Sequence, residues 1–126
     1  MNLRRSAGIV LATLAMASTI QTATGTTRSI QWASSYSPSD SPGRMACNGK
    51  RLTWHTMAVA SRTLRCGTRL RITYGKHSVI ARVEDRGPWI YSRSLDLAPG
   101  VYHALIGSYN ALVWGVRPVR VLVLKG

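Results

Sequence analysis

The chain has 126 residues, with 17 Lys or Arg against four Asp or Glu, for a formal charge of +13. That length allows one small domain. The basic excess points to an anionic partner or surface: nucleic acid, acidic polysaccharide, wall carboxylates and phosphates, or lipid head groups.

Met1-Asn2-Leu3-Arg4-Arg5 reads as the basic start of a secretory leader, and residues 7–16 as its apolar stretch. That stretch is too short to span a bilayer. Ala15-Met16-Ala17 fits the small-residue rule for cleavage, and a cut near Ala23 or Gly25 is also open. A buried N-terminal helix is the alternative. It would leave Arg4 and Arg5 unexplained and lacks a clear cap. We therefore expect residues 1–24 to be signal and linker, and residues 25–126 to be the domain. Removing Arg4 and Arg5 leaves 17 − 2 = 15 basic residues against four acids, or +11. No Cys lies near the cleavage site, so no stable membrane anchor is expected after cleavage. The expected location is secreted, periplasmic or in the cell wall, which argues against nucleic acid as partner. A general basic, soluble surface accounts for much of the charge.

Two cysteines remain, Cys47 and Cys66. Export permits a disulfide, and closing a loop of about 20 residues would stabilise by roughly 3 kcal/mol. Two isolated cysteines without C-x-x-C spacing do not make a zinc cage. No metal and no cofactor are expected.

The polar stretch 22–29 reads as a linker. The run 30–36 reads as a first strand, and 37–43, with Pro38, Asp40, Pro42 and Gly43, as a loop. Asn48-Gly49 signals a turn. Met57-Ala58-Val59-Ala60 is a short apolar run ended by Ser61, and reads as a buried strand. In 68–74, Leu70, Ile72 and Tyr74 share one face while Arg69, Arg71 and Thr73 take the other, the clearest period-two pattern in the chain. Gly75-Lys76 turns it into 77–84, predicting a hairpin. Ser94-Leu95-Asp96-Leu97 is a short strand or bridge. Residues 99–106 form the one expected helix, with Pro99 in its first turn and Gly107 at its end. Residues 116–124 form a last strand, whose Pro118 must lie near an edge or bulge. Short strands, one short helix and about 100 residues argue for an all-β fold, a small closed barrel without open sheet edges.

Val83-Glu84-Asp85-Arg86-Gly87-Pro88-Trp89 is the most suggestive stretch for chemistry. Two of the four acids sit side by side here, at the mouth of a strand and before a Gly-Pro turn and an aromatic. The plain alternative is that Asp85 caps the turn and Arg86 pairs with an acid elsewhere. Taken with Ala58-Val59-Ala60-Ser61-Arg62-Thr63-Leu64, Cys66-Gly67-Thr68-Arg69-Leu70 and Leu95-Asp96-Leu97, this turn resembles the rare lipoprotein A-like double-psi β-barrel family. Trp32 to Tyr36 is similar to that family's opening strand, and barwin and expansin domains look like more distant relatives.

The resemblance implies a six-stranded double-psi barrel acting on peptidoglycan or another anionic cell-wall glycan. Catalytic members are lytic transglycosylases. They cut the β-1,4 bond between N-acetylmuramic acid and N-acetylglucosamine and leave a 1,6-anhydro end. Asp85 matches the catalytic Asp. Ser61 occupies the position where the family usually has His, just before the Arg-Thr-Leu segment. The alternative is a non-catalytic, expansin- or barwin-like glycan-binding or wall-loosening module. A monomer is expected.

A single carboxyl can serve as acid and then base, so Asp85 alone would suffice. In an extended segment Glu84 and Arg86 point away from it. Ser61 can hydrogen-bond a carboxyl or a sugar hydroxyl. His55, His77 and His103 are possible stand-ins for the missing imidazole, with His55 the best placed. Candidate sugar-binding residues are Arg86, Trp89, Tyr91, Tyr36 and Trp54. Trp32 and Tyr102 are assigned mainly to the core. A nearby imidazole at Asp85 would favour the enzyme, and its absence the binding module.

Overall fold

The structure is a computed structural model that describes residues 28–124. The expected leader, residues 1–24, lies outside them. Six strands and two short helices follow in the order β1 (Arg28–Ser35), β2 (Ala58–Ser61), β3 (Arg69–Tyr74), β4 (His77–Asp85), β5 (Leu95–Leu97), α1 (Pro99–Ile106), α2 (Ala111–Trp114) and β6 (Arg117–Leu124). The strands close into one barrel in the order β1-β5-β2-β4-β3-β6. Pairing is parallel between β1 and β5 and between β2 and β4, and antiparallel elsewhere. This is the all-β closed barrel that the strand pattern predicts, with the six strands of the double-psi barrel that the resemblance implies.

Alternation decides which face each strand buries. Leu70 and Ile72 on β3, Ala81 and Val83 on β4, and Val119 and Val121 on β6 all point into the barrel, where Ala33, Val59, Leu95 and Leu97 meet them. The β3–β4 hairpin turns at Gly75, whose φ of 57° suits a residue without Cβ. Pro118 pairs with Trp32 on β1 and lies beyond the β3–β6 register, which ends at Thr73 and Arg120. The ring therefore faces no partner strand on its other side, which satisfies the edge requirement within a closed barrel.

Three expectations need correction. β1 begins at Arg28, so the polar linker is two residues shorter than expected. A second helix, α2, stands beside the single one expected. It is four residues long, too short for periodicity to reveal, and Asn110 starts it by accepting the Leu112 amide on its side chain at 2.9 Å. Trp32 is not in the core. It faces outward and is 52% exposed. Tyr102 is buried as expected, but the core tryptophan is Trp114, whose indole donates to the Ala33 carbonyl at 3.0 Å.

A second, smaller cluster lies outside the barrel wall. Tyr36, Met45, Leu52, Ala58, Ala60 and Ala98 pack together there. This holds the long loop between β1 and β2 against the outer face of β2. The Cys47–Cys66 disulfide, with Cα atoms 5.6 Å apart, ties that loop to the segment between β2 and β3.

Candidate active site

The wall under that loop carries the acids. Ser34 on β1 pairs with Asp96 on β5, Asp96 pairs with Ala60 on β2, and Ala60 pairs with Asp85 on β4. The last pairing depends on a break in register. Val59 pairs with Val83, yet the next residue, Ala60, pairs with Asp85 and skips Glu84. One extra residue in β4 re-aims the end of that strand, a common device beside functional sites. Asp85 and Asp96 thus stand in one row, two strand spacings apart, roughly 10 Å between backbones.

Asp85 is held by backbone amides. Its Oδ1 accepts from Ala46 in the overlying loop and from its own neighbour Arg86, both at 2.9 Å. The Cys47 amide donates to the Glu84 carbonyl at 3.0 Å, which fixes the loop over the same spot. Tyr36 is 6% exposed, and its hydroxyl is buried without a well-formed hydrogen bond among the described residues. Burial first, then the charges of Asp85, Asp96 and Glu84, raise this phenol far above its usual range.

Asp96 is the site residue that the sequence reading left unassigned. Burial lifts its pKa from 3.8 to about 6. The Ser34 hydroxyl, donating at 3.2 Å, and the Arg93 charge pull it down, while the charges of Asp85 and Asp40 push it further up. The signal was present in the sequence. Asp96 is one of only four acids, set between two leucines in a period-two strand.

The remaining candidates divide into supports and exposed groups. Ser61 is 2% exposed, and its Oγ accepts the amides of Leu64 at 3.0 Å and Thr63 at 3.3 Å, so it caps the turn that leaves β2. Arg86 donates to the carbonyls of Ser61 at 2.9 Å and Leu64 at 2.7 Å and reaches Cys66 Sγ at 3.0 Å. It braces the same turn. Trp89 and Tyr91 are 69% and 79% exposed on the loop joining Asp85 to β5. Gly87, with φ of 121°, turns the chain there, and the Trp89 indole folds back over it. Arg62, which the sequence reading did not single out for the site, holds both ends of the loop. It donates to the Pro88 carbonyl and, at 2.8 Å, to the Arg93 carbonyl, with the Tyr91 ring stacked 4.9 Å away.

Trp54 is exposed on the loop before β2, next to His55. The Nδ1 of His55 meets the Tyr109 hydroxyl at 3.3 Å, and His103 stacks on the Tyr109 ring at 3.8 Å. His77 opens β4, paired with Tyr74 across the hairpin. Among the described residues, no histidine hydrogen-bonds Asp85. No group of His, Cys, Asp and Glu there has the arrangement of a metal site.

The chain matches no protein-family model. Among curated proteins it is 41% identical over 86 residues to a probable endolytic peptidoglycan transglycosylase RlpA of Nostoc sp., covering 65% of this chain and 22% of that protein. It is 38% identical over 76 residues to the protein of the same name in Synechocystis sp., covering 59% and 23%. An endolytic peptidoglycan transglycosylase RlpA of Campylobacter jejuni is 31% identical over 84 residues, covering 65% and 29%. The chain therefore spans about a quarter of the length of the curated relatives it matches. Among solved structures, a Streptomyces papain inhibitor superposes with a TM-score of 0.60 at 17% identity, covering 79% of this chain and 96% of that one. Cerato-platanin 2 of M. perniciosa gives 0.57 at 13% identity, covering 77% and 95%. At such identities these two speak for the fold alone. In sequence the chain resembles the rare lipoprotein A-like double-psi barrel family.

Proposed function

We propose that this barrel acts on peptidoglycan as an endolytic lytic transglycosylase, outside the cytoplasm, with Asp85 as acid and base. The observation that carries the reading is the row Ser34, Asp96, Ala60, Asp85. It puts two carboxyls on one outer wall, joined by a loop bearing exposed Trp89 and Tyr91. The names of the matched relatives support the substrate class.

The chemistry needs no water. Protonated Asp85 gives its proton to the glycosidic oxygen, and the bond from that oxygen to C1 of N-acetylmuramic acid breaks with its electron pair going to the oxygen. The 6-hydroxyl oxygen of the same sugar closes on C1. The Asp85 carboxylate takes the hydroxyl proton and is restored. A carboxyl acting in turn as acid and base is the logic of retaining glycosidases, with the sugar's own hydroxyl in place of water. Asp96, ionised above about pH 6, stands two strand spacings away on the same wall to offset the positive charge that develops at C1. The Ala46 and Arg86 amides orient Asp85, while Arg62 presents Trp89 and Tyr91 to the glycan.

The second reading is a non-catalytic glycan-binding module. Ser61 favours it. The family's imidazole position carries a hydroxyl that serves two backbone amides, and no other histidine hydrogen-bonds Asp85 among the described residues. Release of 1,6-anhydro products from purified peptidoglycan distinguishes the two readings.

A further inference from the structure

We infer that the outer face of β1, β6, β3 and β4 is a docking surface for bilayers containing anionic phospholipid. Pairing lines up the outward residues of these strands in rows. One row is Arg28, Leu122, Arg71 and Ile80. The next is Ile30, Arg120, Thr73 and Ser78. A third is Leu124, Arg69 and Arg82. Five arginines therefore share one face with aliphatic side chains set between them.

The four acids of the chain lie elsewhere. Asp40 is in the loop after β1, Glu84 and Asp85 end β4, and Asp96 is on β5. Arg44, Arg51, Arg62, Arg86 and Arg117 spend their guanidinium groups on groups of the protein itself. Among the described residues, the guanidinium groups of the five on this face donate no hydrogen bond. A concavity of about 580 Å³ opens between them, lined by Arg28, Ile30, Arg71, Thr73, Arg120 and Leu122. A planar guanidinium pairs with a phosphate through two parallel bonds, so three arginines around one hollow suit a phosphate headgroup.

The aliphatic residues choose between a bilayer and a soluble polyanion. Ile30 is 66% exposed, Ile80 42%, and Trp32, at the border of the face, 52%. A phosphate polymer or a charged glycan offers isoleucine nothing to displace water against, and sugar rings prefer flat aromatic faces. A bilayer offers both anionic headgroups and an acyl boundary where such side chains bury. The face lies across the barrel from the Asp85 wall, which β5, β2 and the end of β4 form, so docking leaves that wall open. The inference stands whether or not the Asp85 wall is catalytic.

The test is flotation of the purified protein with vesicles of equal parts phosphatidylglycerol and phosphatidylcholine, against vesicles of phosphatidylcholine alone. The protein should float with the first and not the second. Arg71→Gln with Arg120→Gln should weaken binding roughly 30-fold, from the usual worth of a cation near an anionic surface. Arg71→Lys with Arg120→Lys keeps the charge but not the paired bonds, so it should bind between wild type and the Gln pair, which separates lost charge from lost fold. Ile30→Asn should reduce the fraction still bound at high salt, where apolar burial persists and electrostatics fade. Absence of binding to anionic vesicles overturns the inference. So does full displacement by soluble polyphosphate together with an Ile30→Asn variant that binds like wild type, because the partner is then a polyanion in solution.

Discussion

Asp85 and Asp96 are paired to the same residue, Ala60, from its two sides. The β4 bulge brings Asp85 into this row, and burial takes Asp96 out of water. The consequence is a carboxyl with a pKa of about 6 instead of 3.8. Between those values the folded protein holds a proton that the unfolded chain has released. Stability is therefore fully present below about pH 4 and falls as pH rises through 6, by at most about 3 kcal/mol. Asp96→Asn removes the ionisation and retains a partner for Ser34. Urea unfolding should find the variant more stable than wild type at pH 8 and equal to it at pH 4. A wild-type advantage at pH 8 would contradict the buried, proton-holding carboxyl.

Arg86 tests whether a cation beside the acid serves the fold or the ligand. Its donors hold the Ser61 and Leu64 carbonyls at the two ends of that turn. Arg86→Ala should lower stability by roughly 1–3 kcal/mol and speed hydrogen exchange across residues 61–66. Unchanged melting with lost glycan binding would instead make Arg86 a ligand contact.

Cys66→Ser should lower stability by roughly 2–5 kcal/mol, and thiol titration of the unreduced protein should find no free thiol. The bridge also holds down the loop whose Ala46 amide binds Asp85. Reduction should therefore weaken any activity before the barrel unfolds. Activity that survives reduction would separate the loop from the site.

Gly100, in the first turn of α1, lies against the segment before β2. A Cβ there would come within 2.6 Å of the Thr56 carbonyl oxygen and 2.8 Å of that of His55. Neither backbone atom can rotate away as a side chain would. Gly100→Ala should cost roughly 1–3 kcal/mol in chemical denaturation. A neutral effect would mean that α1 shifts freely on the barrel.

Most of the barrel was legible because period-two patterns survive in short strands. Leu70, Ile72 and Tyr74 turned inward together, and Pro99 and Gly107 bracketed α1 as read. Trp32 departs from the expected core because hydrophobicity alone does not decide burial. Its strand alternates, and Trp32 shares the outer face with Ile30 and Arg28. Trp114 escaped because a four-residue helix has no period to read. At the site, local sequence marked Asp85 and the aromatic loop. It could not reveal the bulge at Glu84, which exists only in the pairing of β2 with β4. Nor could it reveal Asp96 as a neighbour, since ten residues of chain lie between the two acids and β2 separates them in the sheet.

The most direct measurement is mass spectrometry of products released from purified peptidoglycan by wild type and by Asp85→Asn. Wild type should release muropeptides with 1,6-anhydro ends. The variant keeps the shape of the residue and loses proton transfer, so its rate should fall by about 10²–10⁴-fold while it still sediments with insoluble peptidoglycan. Ser61→His should raise the wild-type rate if the serine limits catalysis. Wild type that releases no anhydro products from intact or peptide-stripped glycan, yet sediments with it in a salt-sensitive manner, would contradict the transglycosylase and leave the binding module.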